Sequence, residues 1–205
     1  MSSILLVGGG GHCLACIDVI EAEGKHKVAG IVERNGESGS PVLGYEILGN
    51  DDNLTELIKK YPIALITVGQ IKSADLRMKL FNSLKEMGTQ MPIVLSPHAY
   101  ISKHTTLLEG TIVMHGAIIN AGSSIGENCI INTQALIEHD AVVESHCHIS
   151  TGAKVNGGVF IGKESFVGSG TVIHEGVKIG EKSVITAGSI ICKDMPLGTF
   201  YLSAS

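Results

Sequence analysis

A chain of 205 residues with 44% hydrophobic content and a formal net charge of −5 has the size of one or two globular domains. It carries neither the basic patch nor the aromatic platform of a nucleic-acid binder. No apolar run approaches the roughly 18 residues of a membrane span, and Met1-Ser2-Ser3-Ile4 lacks a secretion signal, so a cytoplasmic address is expected. Five cysteines, an odd number without the spacing of a secreted scaffold, read as free thiols.

From the start of the chain, Ile4-Leu5-Leu6-Val7 predicts a buried strand, Gly8-Gly9-Gly10-Gly11-His12 a loop, and Cys13 to Glu23 a helix. Strands are expected near Val28–Val32, Ala64–Val68 and Pro92–Leu95, with helices near Asp51–Lys60 and Ser73–Met87. Such alternation reads as a small Rossmann-like parallel α/β sheet over residues 1–97. A glycine run before a helix aims backbone N–H groups at an anion, most often phosphate. Cys13 occupies the third glycine position of the dinucleotide fingerprint, and no second mononucleotide half follows. A single nucleotide carrying a sugar therefore fits better than NAD, with Glu33 placed to bind a ribose hydroxyl. Cys13 and Cys16 have Cys-x-x-Cys spacing, but the loop around them is better explained as an anion site.

The second half, residues 98–205, is dominated by one pattern: every sixth residue from Ile101 to Ile191 is Ile, Leu or Val, sixteen in succession. Four residues after each stands a mostly small residue, as at Ala117, Cys129, Ala135, Ala153 and Ser165, with Met195 the large exception. A period of six fits neither a helical stripe nor a lone strand. It fits the hexapeptide form of a parallel β-helix, three hexads to a coil and about five coils, stacked about 4.8 Å apart. The aliphatic residues fill the prism, and the small ones turn its corners. Cys129 and Cys147, 18 residues apart at small positions, should stack in adjacent coils as core residues.

Six histidines lie in or beside the repeat, and no two are separated by a multiple of 18, so none stack on one face as a simple zinc site would require. No metal is expected. The segment Asn132-Thr133-Gln134-Ala135-Leu136-Ile137-Glu138-His139-Asp140 places Ile137 inside and leaves Glu138, His139 and Asp140 around a corner. A histidine between carboxylates can be held in one tautomer and made more basic, as a general base needs. A polar turn on a solvated face is the other reading of the same residues.

The glycine run with His12, about 95 residues of α/β pattern and then uninterrupted hexads resemble the NeuD/PglD-type sugar acetyltransferases over nearly the whole chain. The resemblance implies a left-handed β-helix, homotrimeric packing, active sites between neighbouring prisms, and acetyl-CoA as co-substrate. It implies that Gly10, Gly11 and His12 contact a nucleotide-linked sugar, with Glu33, Arg34 and Gly69 as further candidates. The family pattern Asn-Thr-x-x-x-Ile-Glu-His-[Asp/Glu] implies His139 as catalytic base, Asp140 as its orienting partner, and Asn132 in the acceptor site. It implies His148, Gly157, Ser169 and Ala187 on the acetyl-CoA side, the Gly157 N–H meeting the thioester carbonyl.

The expected activity is N-acetylation of a nucleotide-linked 4-amino-4,6-dideoxy sugar. O-acetylation of sialic acid or a related sugar is the alternative within that chemistry. A non-catalytic sugar-nucleotide-binding scaffold and a metal lyase or hydratase are the alternatives outside it. Many relatives end in Gly-x-Pro-Ala-Lys, whereas this chain runs Pro196-Leu197-Gly198-Thr199-Phe200-Tyr201-Leu202-Ser203-Ala204-Ser205, which bears on its acetyl-CoA contacts.

Overall fold

The computed structural model describes residues 1–34 and 41–202, so the last three residues of the C-terminal tail lie outside the described residues. The first half is a four-stranded parallel sheet in the order β3-β2-β1-β4, built from β1 (Ser2–Val7), β2 (His26–Val32), β3 (Ile47–Gly49) and β4 (Ala64–Ile66). Helices α1 (Gly11–Glu23), α2 (Leu54–Lys60) and α3 (Asp75–Glu86) connect and cover it. The sequence pattern missed β3, three residues ending in a glycine. Gly30 admits this strand: a Cβ there would lie 2.5 Å from Leu48 Cδ1, so only glycine lets the edge strand close.

The second half is a left-handed parallel β-helix whose two-residue strands form three stacked faces. The first runs from Val94–Leu95 through Ile112–Val113, Ile130–Ile131, His148–Ile149, Phe166–Val167 and Val184–Ile185 to Phe200–Tyr201. The second carries Leu136–Ile137 and the third Val142–Val143, each in register with residues 18 before and after. The repeated aliphatics form one buried column with Cys129, Ala135, Cys147 and Ala153 at its corners, as the period requires. Burying each large aliphatic is worth about 1.5–3 kcal/mol, which makes the prism a stiff support.

Two boundaries of the prism differ from the sequence reading. The strand near Pro92–Leu95 does not join the α/β sheet but pairs with Ile112–Val113. Leu95 stands one period before Ile101, so the repeat itself held that signal. At the other end Met195 is not an oversized corner residue. It bridges to Ile179, 16 residues back, is nearly buried (7% exposed), and joins the core. The last coil is two residues short, which moves Met195 into an interior aliphatic position and Tyr201, six residues on, into the next.

The two halves share a core. Cys16, Ile17 and Ile20 of α1 pack between Ile4 and Leu6 of β1 and the outward-facing Ile112 and Ile130 of the first prism face. Leu54, Ile58, Phe81 and Leu84 of α2 and α3 cover the sheet through Leu5, Val7, Val32 and Ile66. α1 is thus clamped from both sides, and its N-terminus is held at the seam. Among the described residues no helix is long and apolar enough to cross a membrane.

Candidate active site

Gly8, Gly9, Gly10 and Gly11 lead from the end of β1 into α1, and the first is required by space and backbone conformation, while the second lies against the Glu33 carboxylate. A Cβ on Gly8, whose φ is +113°, would lie 2.5 Å from Val68 Cγ2, and one on Gly9 would lie 2.5 Å from Glu33 Oε2. Glu33 accepts the Gly9 N–H and so pins the loop. At Gly10, the N-cap, no side chain caps the helix, and its first turn holds no acid. The Cys13 N–H donates to the Gly10 carbonyl (2.8 Å), but the Gly11 and His12 N–H groups have no partner among the described residues, which suits an anion. They face a cavity of about 550 Å³ that Gly10, Gly11, His12, Glu33, Arg34, Gly69 and Asn132 all line. That volume lies within the range of small-molecule sites.

Two histidines close this pocket, and burial keeps both neutral. Desolvation, with the Arg77 charge adding to it, lowers His12 to about 3. Desolvation lowers His148 to about 4, outweighing its bond to Gln70. His148 Nδ1 donates to the Gln70 carbonyl (2.6 Å), which leaves Nε2 to accept from the Asn132 amide (3.0 Å). The Asn132 Oδ1 is already occupied by the Thr133 N–H (2.8 Å), so the amide orientation is fixed. His12 Nε2 and Gln70 Oε1 have no hydrogen-bond partner among the described residues. Buried polar atoms are rarely left this way, and both belong to residues that line the cavity.

His139 stands in different surroundings, at the corner between the second and third prism faces, and is exposed. Its Nδ1 donates to Asp140 Oδ2 (2.9 Å), leaving the Nε2 lone pair free. That hydrogen bond, reinforced by the charges of Asp140 and Glu138, raises the His139 pKa above its ordinary value. Glu138 is held in turn by the Asn120 amide (2.9 Å). Nε2 sits over Gly157: a Cβ there would lie 2.7 Å from it. Gly157 does not have a positive φ, so what glycine provides here is room for the imidazole, which a Cβ would displace. Its N–H makes no hydrogen bond among the described residues. Glu138, His139, Asn156, Gly157 and Glu175 line a shallow cleft of about 450 Å³.

A family profile described as the PglD N-terminal domain matches residues 3–84. A histidine-to-asparagine variant of perosamine N-acetyltransferase from Caulobacter crescentus, solved with CoA and GDP-perosamine, is 31% identical over 96% of this chain and 91% of its own, with a TM-score of 0.89. The chain belongs to the NeuD/PglD-type family of sugar acetyltransferases. The acetyltransferase domain of PglB from Neisseria gonorrhoeae, solved with acetyl coenzyme A, is 26% identical over 96% of this chain and 93% of its own, with a TM-score of 0.85. WeeI from Acinetobacter baumannii, 21% identical over 97% of this chain and 95% of its own, shares the fold with a TM-score of 0.81. No match is found among curated protein sequences.

In this NeuD/PglD-type chain the residues read from the sequence fall into separate groups. Those assigned to the acceptor gather around the glycine loop, and His148, assigned to the donor side, lines the same pocket beside His12. His139, Asp140 and Gly157 gather at one prism corner. Ser169 and Ala187 are exposed and stack at another, between the first and second faces, where Ser169 bonds the Ser150 hydroxyl (2.9 Å). The second face separates these corners. Sequence reasoning passed over Gln70 and Arg77, which stand in no motif: Gln70 follows β4 as an ordinary loop residue, and Arg77 occupies one position of an amphipathic helix. Among the described residues no metal-holding group of three or more His, Cys, Asp or Glu is assembled.

Proposed function

We propose that the protein is an acetyl-CoA-dependent N-acetyltransferase of a nucleotide-linked 4-amino-4,6-dideoxy sugar, with His139 as general base and direct acetyl transfer between subunits. The observation that carries the reading is the His139 imidazole, tied through Nδ1 to Asp140 and presenting a free Nε2 over Gly157. Nε2 takes the proton from the acceptor amine as nitrogen attacks the acetyl carbonyl, and the CoA thiolate leaves. The Gly157 N–H, without a partner among the described residues, stabilises the oxyanion that develops. Residues 1–97, with Asn132 and His148 of the prism, hold the nucleotide-linked sugar, its diphosphate at the start of α1, and 98–205 carry the transfer. The relatives solved with CoA and GDP-perosamine, or with acetyl coenzyme A, support both substrate classes.

A homotrimer in the cytoplasm completes the proposal. The second prism face, between the His139 and Ser169 corners, exposes a ladder of side chains that is apolar except at Lys154 and includes Tyr100 (61%), Ile118 (41%) and Ile190 (60%). A stripe of this kind calls for burial against another surface. Packing prisms through it around a threefold axis would bring one copy's His139 corner to the next copy's Ser169 and Ala187.

The test is acceptor-dependent release of CoA thiol across UDP-, GDP-, dTDP- and CMP-linked sugars, with sialic acid included. Turnover with an amino sugar alone is expected. Turnover only with hydroxyl acceptors would replace N- by O-acetylation, and none with any acceptor would leave a binding protein.

A further inference from the structure

Behind the glycine-loop pocket the structure holds a buried charge that the proposed chemistry does not use. Arg77 on α3 is 1% exposed. Its Nη1 donates to the carbonyls of Ile66 (3.1 Å) and Val68 (2.6 Å), and its Nη2 to the carbonyl (3.3 Å) and Oδ1 (2.7 Å) of Asn128. Its Nε has no acceptor, and no carboxylate pairs with it among the described residues. Every acceptor it meets is neutral. Burying a cation costs several kcal/mol, which proteins ordinarily offset with a counter-charge. Burial lowers Arg77 only to about 10, so it stays charged at neutral pH.

The guanidinium lies one residue behind the loop. Val68, whose carbonyl it holds, lines the pocket and packs against Gly8. Its charge reaches the two pocket histidines, His12 and His148. It also stitches the end of β4 to the prism, because Asn128 belongs to the corner between the third and first faces and bonds onward to His146 (3.0 Å). Gln70 ties the next stretch of the same wall to the His146 carbonyl (3.0 Å).

We infer that Arg77 is a positioning residue for the acceptor, its unpaired buried charge making the glycine-loop pocket selective for a diphosphate that the side chain never touches. The missing counter-charge is then the ligand itself. The inference rests on the reading of this pocket as a nucleotide-sugar site. At an effective dielectric of about 20, a unit charge about 10 Å from an anion changes the affinity for one anionic charge by roughly tenfold.

Asn128→Asp tests it, because it puts a carboxylate on the guanidinium at the same place. Asp tolerates the left-handed backbone of that residue, whose φ is +53°. The guanidinium keeps both its acceptors on residue 128, so a purely structural Arg77 predicts no loss of pyrophosphate affinity. Under the inference, the variant binds inorganic pyrophosphate about tenfold more weakly in calorimetry. Its KM for the nucleotide-linked sugar rises by a similar factor, with kcat and the KM for acetyl-CoA maintained. Unchanged pyrophosphate affinity in the variant overturns the inference while leaving the pocket reading intact. Failure of the unsubstituted protein to bind pyrophosphate overturns both. Arg77→Lys keeps the charge and gives up the fork, so its Tm falls but its pyrophosphate affinity holds. A loss equal to that of Asn128→Asp would make the fork the determinant and defeat the inference. Should Asn128→Asp not fold, Arg77→Met, which removes the charge at similar volume, carries the same expectation.

Discussion

The glycine-loop pocket and the prism corner both place a histidine where a sugar substrate could meet it, yet they treat the ring in opposite ways. In the pocket, His12 and His148 lose their hydration to the surrounding core, face the field of a buried arginine, and stay neutral far below their ordinary pKa. At the corner, His139 keeps its water and gains a carboxylate, which raises its affinity for a proton. The difference separates two jobs. A neutral imidazole that does not titrate near pH 7 can recognise a ligand through one fixed tautomer, whereas a base must be free to take a proton and give it up. The rigid prism presents the second kind, and the seam between domains builds the first.

If that division holds, removing the base should have the largest effect. His139→Ala is expected to lower kcat by roughly 10²–10⁴, the usual range for a lost general base. Its Tm should stay put, since an exposed ring contributes little to the core. Near-normal turnover would end the assignment. Gly157→Ala comes next: the added methyl meets His139 Nε2, so kcat should fall by about 10², with the β-helix circular dichroism unchanged. A Gly157→Ala enzyme with normal kcat would show that Nε2 is not the working atom. Asp140→Asn is smaller, about tenfold, and has a signature of its own. The carboxylate raises His139, so its loss should move the acid limb of the pH–rate profile to lower pH. An acid limb that stays in place would mean that Asp140 does not tune the base.

Sequence periodicity reached the prism more completely than the domain in front of it, for a physical reason. Each hexad repeats the same burial, so one misplaced residue is corrected by its neighbours 18 positions away. Even so, Leu95 and Met195 went astray at the ends, where a coil has a neighbour on one side only. The α/β sheet has no such redundancy, and three-residue β3 depends on the room that Gly30 gives Leu48. The Glu138-His139-Asp140 corner was legible because its parts are adjacent in sequence. Arg77 and Gln70 were not, because what distinguishes them is a partner missing among the described residues: an anion for the cation and a donor for the amide oxygen. An absence of that kind is visible only once the surroundings are assembled.

The smallest effect concerns stability, and it distinguishes the two kinds of histidine by sign. His148 is neutral when folded down to about 4, but an unfolded chain takes up its proton near 6.5. Between those values the unfolded state binds more protons, so stability falls as pH is lowered and levels off once the folded ring is also protonated. At pH 5 the loss from this one residue is about 2 kcal/mol relative to pH 7. His12 adds a loss of the same sign that persists toward about 3. His139 acts in the other direction: its pKa is raised on folding, so its contribution is present at low pH and disappears as pH rises through the raised value. Urea unfolding at pH 7 and pH 5 should therefore show a drop that His148→Gln reduces and His139→Ala does not. The glutamine amide can still donate toward the Gln70 carbonyl, so that variant separates titration from simple loss of a contact. If His148→Gln loses as much stability on acidification as the parent, the ring is protonated in the folded pocket, and its neutrality is not what shapes that site.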